Sequence, residues 1–384
     1  ETETVRALAA EARLEPGALA ATQAYATRLA EAVRKERSQA GGVDALMLEF
    51  SLDSREGVAL MCVAEALLRI PDASTRDRLI RDKIGRGDWR AHVGRSPSLF
   101  VNAAAWGLLV TGELVDTRSD SALEAAVVSL LRKGGEPLIR KGVDLAMRLL
   151  GKQFVAGRTI GEAIANARER EARGYRFSYD MLGEAAMTAE DAQRYLAAYE
   201  SAIDAIGHAS GGAGIYAGPG ISIKLSALHP RYTRLQRERV MGELLPRVAQ
   251  LARRARERDI AVNIDAEEAD RLDISLDLFE RLADDRGLAG WDGLGFVVQA
   301  YQRRARALID WLVDLAHRRR RRLMVRLVKG AYWDSEIKRA QVEGLSDYPV
   351  FTRKLHTDVS YLACAKAMLA APEAIFPQFA SHNA

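Results

Sequence analysis

Residues 326–334 read RLVKGAYWD, passing in nine positions from a buried-strand pattern to a charged, glycine-containing turn with two aromatics. Arg326 is the anomaly. A guanidinium among branched apolar residues must be paired or must serve a ligand, because an isolated buried charge is costly. Lys329, Gly330 and Ala331 follow, where a backbone can approach a bound molecule closely, and Tyr332 and Trp333 offer flat faces. Lys224, in ISIKLSALHP, is a second cation in an apolar run. It can form a Schiff base, as in a barrel aldolase, or stay charged and hold a substrate carboxylate. Asp265 closes AVNID ahead of Ala266. Facing a lysine and an arginine it stays ionised and fixes both, whereas as a helix N-cap it is structural. Gln299 ends GFVVQ with an amide that both donates and accepts, and His382 has no second histidine and carboxylate at ligand spacing, so hydrogen bonding suits it better than a metal. Competing structural readings stay open for Arg326, as partner of an ordinary carboxylate, and for Lys224, as a lysine that reaches solvent past a strand tip.

The elements that must position these groups come in two patterns. Residues 1–150 are helical throughout: 6–37 reads as one long amphipathic helix, Asp53-x-x-Glu56 and Ser74-x-x-Asp77 read as N-terminal caps, and 102–114 and 122–150 continue in the same style. No cluster there suggests chemistry, so 1–150 reads as a helical scaffold or docking domain. Within 151–384, strand-like runs at 175–181, 221–225, 261–265, 294–299, 323–328 and 375–379 alternate with helical stretches such as 237–256, 274–283 and 305–316. The gaps accommodate a crossover helix each time, the mark of βαβ units and a parallel sheet. The runs end in Asp180, Lys224, Asp265, Gln299, Arg326 and then Ser381 and His382. Polar groups spread over many strand ends fit a (βα)8 barrel better than a doubly wound sheet with one switch point. Six strands are legible where eight are needed, and the first residue is Glu, so the expected barrel is incomplete and the chain reads as part of something longer.

Composition narrows the classes. With 384 residues, 48% hydrophobic and 28% charged, the chain has the make-up of an ordinary globular protein, and a formal charge of +4 is mild for that length. The run Arg318 to Arg322 follows a helical pattern and reads as a solvated helix end in preference to a nucleic-acid patch. Cys62 and Cys364 lie far apart in helical patterns and make neither a disulfide framework nor a metal site, which suggests a reducing compartment. No apolar stretch reaches the length of a spanning helix and no secretory signal is visible. Gly212 to Ala217 matches the G-x-G-x-x-A dinucleotide fingerprint but precedes a strand instead of following one, so it reads as a loop.

Taken together, FSYDMLGEAA, SIKLSALHPRY, NIDAEEADRLDIS, GFVVQAYQRR, MVRLVKGAYWDSEIKRAQ, YPVFTRKLHTDVSYLACAK and FPQFASHNA resemble the proline dehydrogenase domain of the proline utilization A family. EFSLDSREGVALMCVAEALLRIPD, RDKIGRGDW and GRSPSLFVNAA extend the resemblance through the helical half. It implies a distorted (βα)8 barrel that holds FAD without a Rossmann domain and oxidises L-proline to 1-pyrroline-5-carboxylate by hydride transfer from C5 to flavin N5. By resemblance, Lys224 pairs with the proline carboxylate, Asp265 organises that end and Tyr332 lines the substrate site. Arg326 lies beside the isoalloxazine, where fixed positive charge stabilises reduced flavin. Gln299 bonds the ring edge, Lys329, Gly330 and Ala331 line the cofactor, and Trp333 lies on the adenosine side. Ala266, Ser381, His382, Thr352 and Lys354 match further FAD-contacting positions.

The family also implies a cytoplasmic protein associated peripherally with the inner membrane, electrons delivered to membrane quinone, and an aldehyde dehydrogenase in the same polypeptide. DNA contact is expected only through a ribbon-helix-helix module not present in this chain, and homo-oligomerisation is left open. The family completes its proline site with a tyrosine and two arginines that would lie beyond Ala384, so a chain ending there is expected to bind proline poorly. A class I aldolase and a non-enzymatic scaffold contacting DNA or membrane are the competing readings.

Overall fold

Branched apolar runs without polar alternation form six parallel strands: β1 Ser178–Asp180, β2 Gly220–Ile223, β3 Ala261–Ile264, β4 Leu294–Gln299, β5 Leu323–Val328 and β6 Ile375–Phe379. The computed structural model describes residues 1–37, Thr75 and residues 155–381. The expected caps at Asp53 and Ser74, the helices at 102–114 and 122–150, and His382 lie outside the described residues. The strands lie side by side in chain order, each hydrogen-bonded in parallel to the next. Order without reversal is barrel winding, since a doubly wound sheet reverses at its switch point. The sheet is a half-barrel, as expected of a (βα)8 fold represented by six strands. Strands β2, β3 and β4 are buried along their whole length, the condition of strands covered on both faces.

Helices alternate with these strands. Two precede everything else, α1 Thr2–Ala12 and α2 Pro16–Arg37. Then come α3 Ile160–Ala172, α4 Ala189–Ser210, α5 Leu245–Glu257, α6 Leu272–Ala283, α7 Ala305–Arg319, α8 Trp333–Val342 and α9 Lys354–Leu369. Helix α4 shows how local sequence sets an element. Thr188 and Asp191 form a reciprocal capping box, and Gly211 at φ 59° ends the helix in the left-handed region. Between them Ala192, Leu196, Tyr199, Ile203 and Ile206 recur at three and four and are buried. Across the sheet, Phe279 of α6 meets Phe296 of β4 with ring centroids 5.0 Å apart, in one continuous core under the strands.

The amino-terminal stretch departs from the expected single helix over 6–37. Pro16 opens α2, and Arg13 between the helices is extended at φ −60° and ψ 133°. A proline supplies no N–H to an ongoing helix and disfavours helical backbone just before it, so the chain breaks there. Helix α1 packs on α9: Leu8 is buried with Phe351 and Ala363. Lys366 Nζ donates to the carbonyls of Glu11 at 3.0 Å and Arg13 at 2.7 Å, closing the end of α1. Residues 1–20 therefore group with 159–384 in one unit, and residues 21–158 form another.

Candidate active site

Strand β2 ends two residues and β3 one residue earlier than the sequence suggests, so Lys224 and Asp265 sit just past their carboxyl ends. Both side chains are 15% exposed, and Lys224 Nζ lies 3.3 Å from Asp265 Oδ2. Its nearer partner is Asp180 at the end of β1, with Oδ1 at 2.9 Å. Arg326 Nη1 stands 3.8 Å from Asp265 Oδ1, which puts the three predicted residues of β2, β3 and β5 in one chain of charges. The rest of the Arg326 guanidinium goes to neutral oxygens: Nη1 donates to Ser222 Oγ at 2.8 Å, Nη2 to Ser178 Oγ at 2.8 Å and Nε to Gln378 Oε1 at 3.1 Å. Among the described residues the guanidinium is tethered there with one carboxylate, and that one at the edge of ion-pair range.

The protonation states follow. Burial alone would push Lys224 toward the neutral amine, but the hydrogen bond to Asp180 and the charges of Asp265 and Asp180 outweigh it and raise its pKa above the ordinary lysine value. A Schiff-base lysine needs the opposite shift, so the electrostatics count against the aldolase reading. Burial pushes the Asp265 carboxyl up, and Asp180 adds to this while Lys224 and Arg326 pull it down. Asp265 is thus less strongly held in its ionised form than its two cationic neighbours alone suggest.

Around this trio a second network fixes the turn after β5. Gln299, the buried last residue of β4, donates from Nε2 to the carbonyl of Glu267 at 2.8 Å and accepts at Oε1 from the amide of Ala331 at 3.2 Å. Glu267 in turn accepts from the amide of Ser226 at 3.0 Å and from Arg271 Nη1 at 2.7 Å. Gly330 is at φ 137°, and a Cβ there would fall 2.5 Å from the Tyr301 ring, so only glycine permits this turn. Tyr332 is half-buried directly before α8. Its phenol is pushed up by burial and by Glu184, Glu267 and Glu268, with Lys224 opposing, so it shares the charged environment of the trio.

The outer positions have partners of their own. Trp333 Nε1 donates to the carbonyl of Phe351 at 2.8 Å, and Lys329 and Lys354 share Asp358, with Nζ distances of 2.7 and 2.8 Å. The amide and hydroxyl of Thr352 both donate to Glu1, at 3.1 and 2.9 Å. Ala266 is half-buried beside Asp265, and Ser381 is exposed after β6. The donors suit an electron-rich, anionic group: a tethered Arg326, and the cations of Lys329 and Lys354 that share Asp358. They therefore fit FAD as the resemblance implies it.

Sequence reasoning left Asp180 without a role and passed over Ser178, Ser222 and Gln378. A signal for the first three existed. Ser178 and Ser222 precede Asp180 and Lys224 by two residues, as Asn263 precedes Asp265, and alternation in a strand puts each pair on one face.

The family model described as proline dehydrogenase matches residues 163–384, more than half of the chain. The chain belongs to the proline dehydrogenase family. Among relatives, the bifunctional protein PutA of Salmonella typhimurium is 64% identical over all of this chain, and that of Escherichia coli K12 is 63% identical, again over all of it. The chain spans 29% of the length of either relative. A crystal structure of a Bradyrhizobium japonicum PutA mutant superposes with a TM-score of 0.71 at 47% identity, covering 99% of this chain and 38% of that one. PutA of Bdellovibrio bacteriovorus, at 23% identity and TM-score 0.61, shares the proline dehydrogenase fold.

One expectation is corrected. The model described as the DNA-binding domain of proline dehydrogenase matches residues 42–154, so such a module is part of this chain and not confined to a segment outside it.

Proposed function

We propose that this chain carries the site at which L-proline is oxidised to 1-pyrroline-5-carboxylate, the first step of proline conversion to glutamate, with FAD as cofactor. The single observation that carries the reading is the Lys224, Asp265 and Arg326 chain of charges at the carboxyl ends of β2, β3 and β5 in a member of this family. Bound FAD supplies the acceptor for the hydride that leaves the ring carbon of proline.

The side chains do the rest. Lys224, kept protonated by Asp180 and Asp265, offers a charged donor to the substrate carboxylate and orients the ring. Asp265 spaces Lys224 from Arg326 and keeps the two cations at a fixed separation. Arg326, bound mainly to neutral oxygens, retains most of its positive charge for electron density that builds up beside it. Gln299 presents the main chain of Ala331, and Gly330 lets that main chain approach the cofactor. Tyr332 closes the substrate side. Lys329, Lys354, Thr352, Trp333, Ala266, Ser381 and His382 are the outer cofactor contacts, with Asp358 and Glu1 giving up their cations and donors when the cofactor enters.

Electron delivery to membrane quinone, peripheral attachment to the cytoplasmic face of the inner membrane, homo-oligomerisation and an aldehyde dehydrogenase in the same polypeptide complete the proposal. No helix among the described residues is long and apolar enough to cross a membrane. The test is the visible spectrum of the purified full-length protein. Flavin absorption that bleaches anaerobically on addition of L-proline is expected, and a colourless protein, or a flavin that proline leaves oxidised, refutes the proposal.

A further inference from the structure

Among the described residues, every hydrogen bond of the Arg326 guanidinium ends on a neutral oxygen. Gln378 stands directly across from Arg326 in the β5–β6 pairing, so the two side chains share one face of the sheet. Its Oε1 accepts from Arg326 Nε at 3.1 Å, and its Nε2 points at the sulfur of Met324, 3.9 Å away. Ser222 and Ser178 take Nη1 and Nη2, each at 2.8 Å.

Stronger acceptors would fit. A carboxylate at position 378 has the shape of the amide and would accept the same N–H in a charge-assisted bond, roughly twice as strong as a neutral one. What the neutral acceptors preserve is the charge: a carboxylate in contact cancels most of the field of a guanidinium, and an amide or hydroxyl does not. The carboxylate in range, Asp265, stands 3.8 Å from Nη1, a nitrogen that Ser222 already holds, and its other oxygen faces Lys224 at 3.3 Å. The tether therefore fixes the guanidinium and also keeps it from closing on Asp265.

We propose that Gln378 is a positioning residue that sets the reduction potential of the bound cofactor through Arg326, with Ser222 as the second determinant. The inference rests on the reading that Arg326 lies beside the isoalloxazine. Reduction makes that ring system electron-rich, and an uncancelled guanidinium next to it stabilises the reduced form over the oxidised one. The amide at 378 leaves this stabilisation in place, and a carboxylate there removes most of it.

The midpoint potential of the full-length flavoprotein, measured by equilibration with a reference dye, tests this. Gln378→Glu is expected to disfavour the reduced cofactor about tenfold, which for a two-electron couple is a midpoint about 30 mV more negative. Ser222→Ala frees Nη1 to close on Asp265 and is expected to disfavour reduction about threefold, or about 15 mV. Thermal midpoints of the same samples separate the roles, because a purely structural tether changes stability and leaves the potential unmoved. An unchanged or more positive midpoint in a flavin-bearing Gln378→Glu overturns the proposal, as does an unchanged midpoint in Ser222→Ala where Gln378→Glu yields no flavoprotein. Either result in a parent protein that L-proline bleaches sinks this inference alone, whereas a colourless parent sinks the proposed function with it.

Discussion

Lys224 owes its charge to two carboxylates and its position to the end of β2, and those two facts separate its roles. Replacing it with methionine keeps the side-chain volume and removes the ammonium, leaving Asp180 and Asp265 facing each other. Proline-analogue affinity is expected to fall at least about tenfold in Lys224→Met, since a charge-assisted bond of this kind is worth about 1.5–3 kcal/mol. Flavin content per chain should be unchanged, and loss of flavin in the purified variant would show that Lys224 supports the cofactor instead. Gly330 makes a complementary case, because it acts through the absence of a side chain. In Gly330→Ala a methyl group meets the Tyr301 ring at 2.5 Å on a backbone at φ 137°, so the turn must move. A destabilisation of about 1–3 kcal/mol is expected from chemical denaturation, with flavin stoichiometry below that of the parent. Unchanged flavin content together with unchanged stability would mean that the turn does not touch the cofactor.

Single helices follow from local sequence, but their attachment to each other is an electrostatic and packing matter. Asp204 of α4 accepts from Arg254 of α5, with its two oxygens at 3.0 and 2.5 Å from Nε and Nη2, and from Arg258 Nε at 2.9 Å. The Arg254 hydrogen bond, more than the opposing burial, brings its pKa down to about 2, with Arg258 adding to the effect. A carboxyl whose folded pKa lies below its unfolded value contributes stability at all pH above the unfolded value, near ~3.9, and loses it as pH falls toward the folded one. The thermal midpoint of the parent should therefore drop more steeply than that of Asp204→Asn between pH 4 and pH 3, about the start of that window. Parallel curves would show that the pair is too well screened to matter, as most exposed ion pairs are.

Across the whole barrel unit, Arg326 connects strands far apart in sequence. From β5 it bonds Ser178 of β1, Ser222 of β2 and Gln378 of β6, and it approaches Asp265 after β3, so the sheet curls until a side chain from next to one edge reaches the opposite edge strand. Arg326→Met should cost about 1–3 kcal/mol and speed amide exchange along β1, which that side chain ties to the interior. Unchanged exchange in β1 would mean that backbone pairing with β2 alone holds the edge. The same side chain marks where sequence reasoning stops. The sequence by itself determined the parallel strands, the barrel winding and the polar character of every strand end, because apolar runs, crossover lengths and buried charges are local properties. On those grounds residues 326–334 read either as a ligand-facing turn or as a strand end whose arginine meets a structural carboxylate. Only the tertiary structure decided that Asp180 is the nearer partner of Lys224 and that Arg326 is held by serines and an amide. Those are distances between strands and loops joined by whole helices, set by how the sheet curls, and no spacing along the chain encodes them.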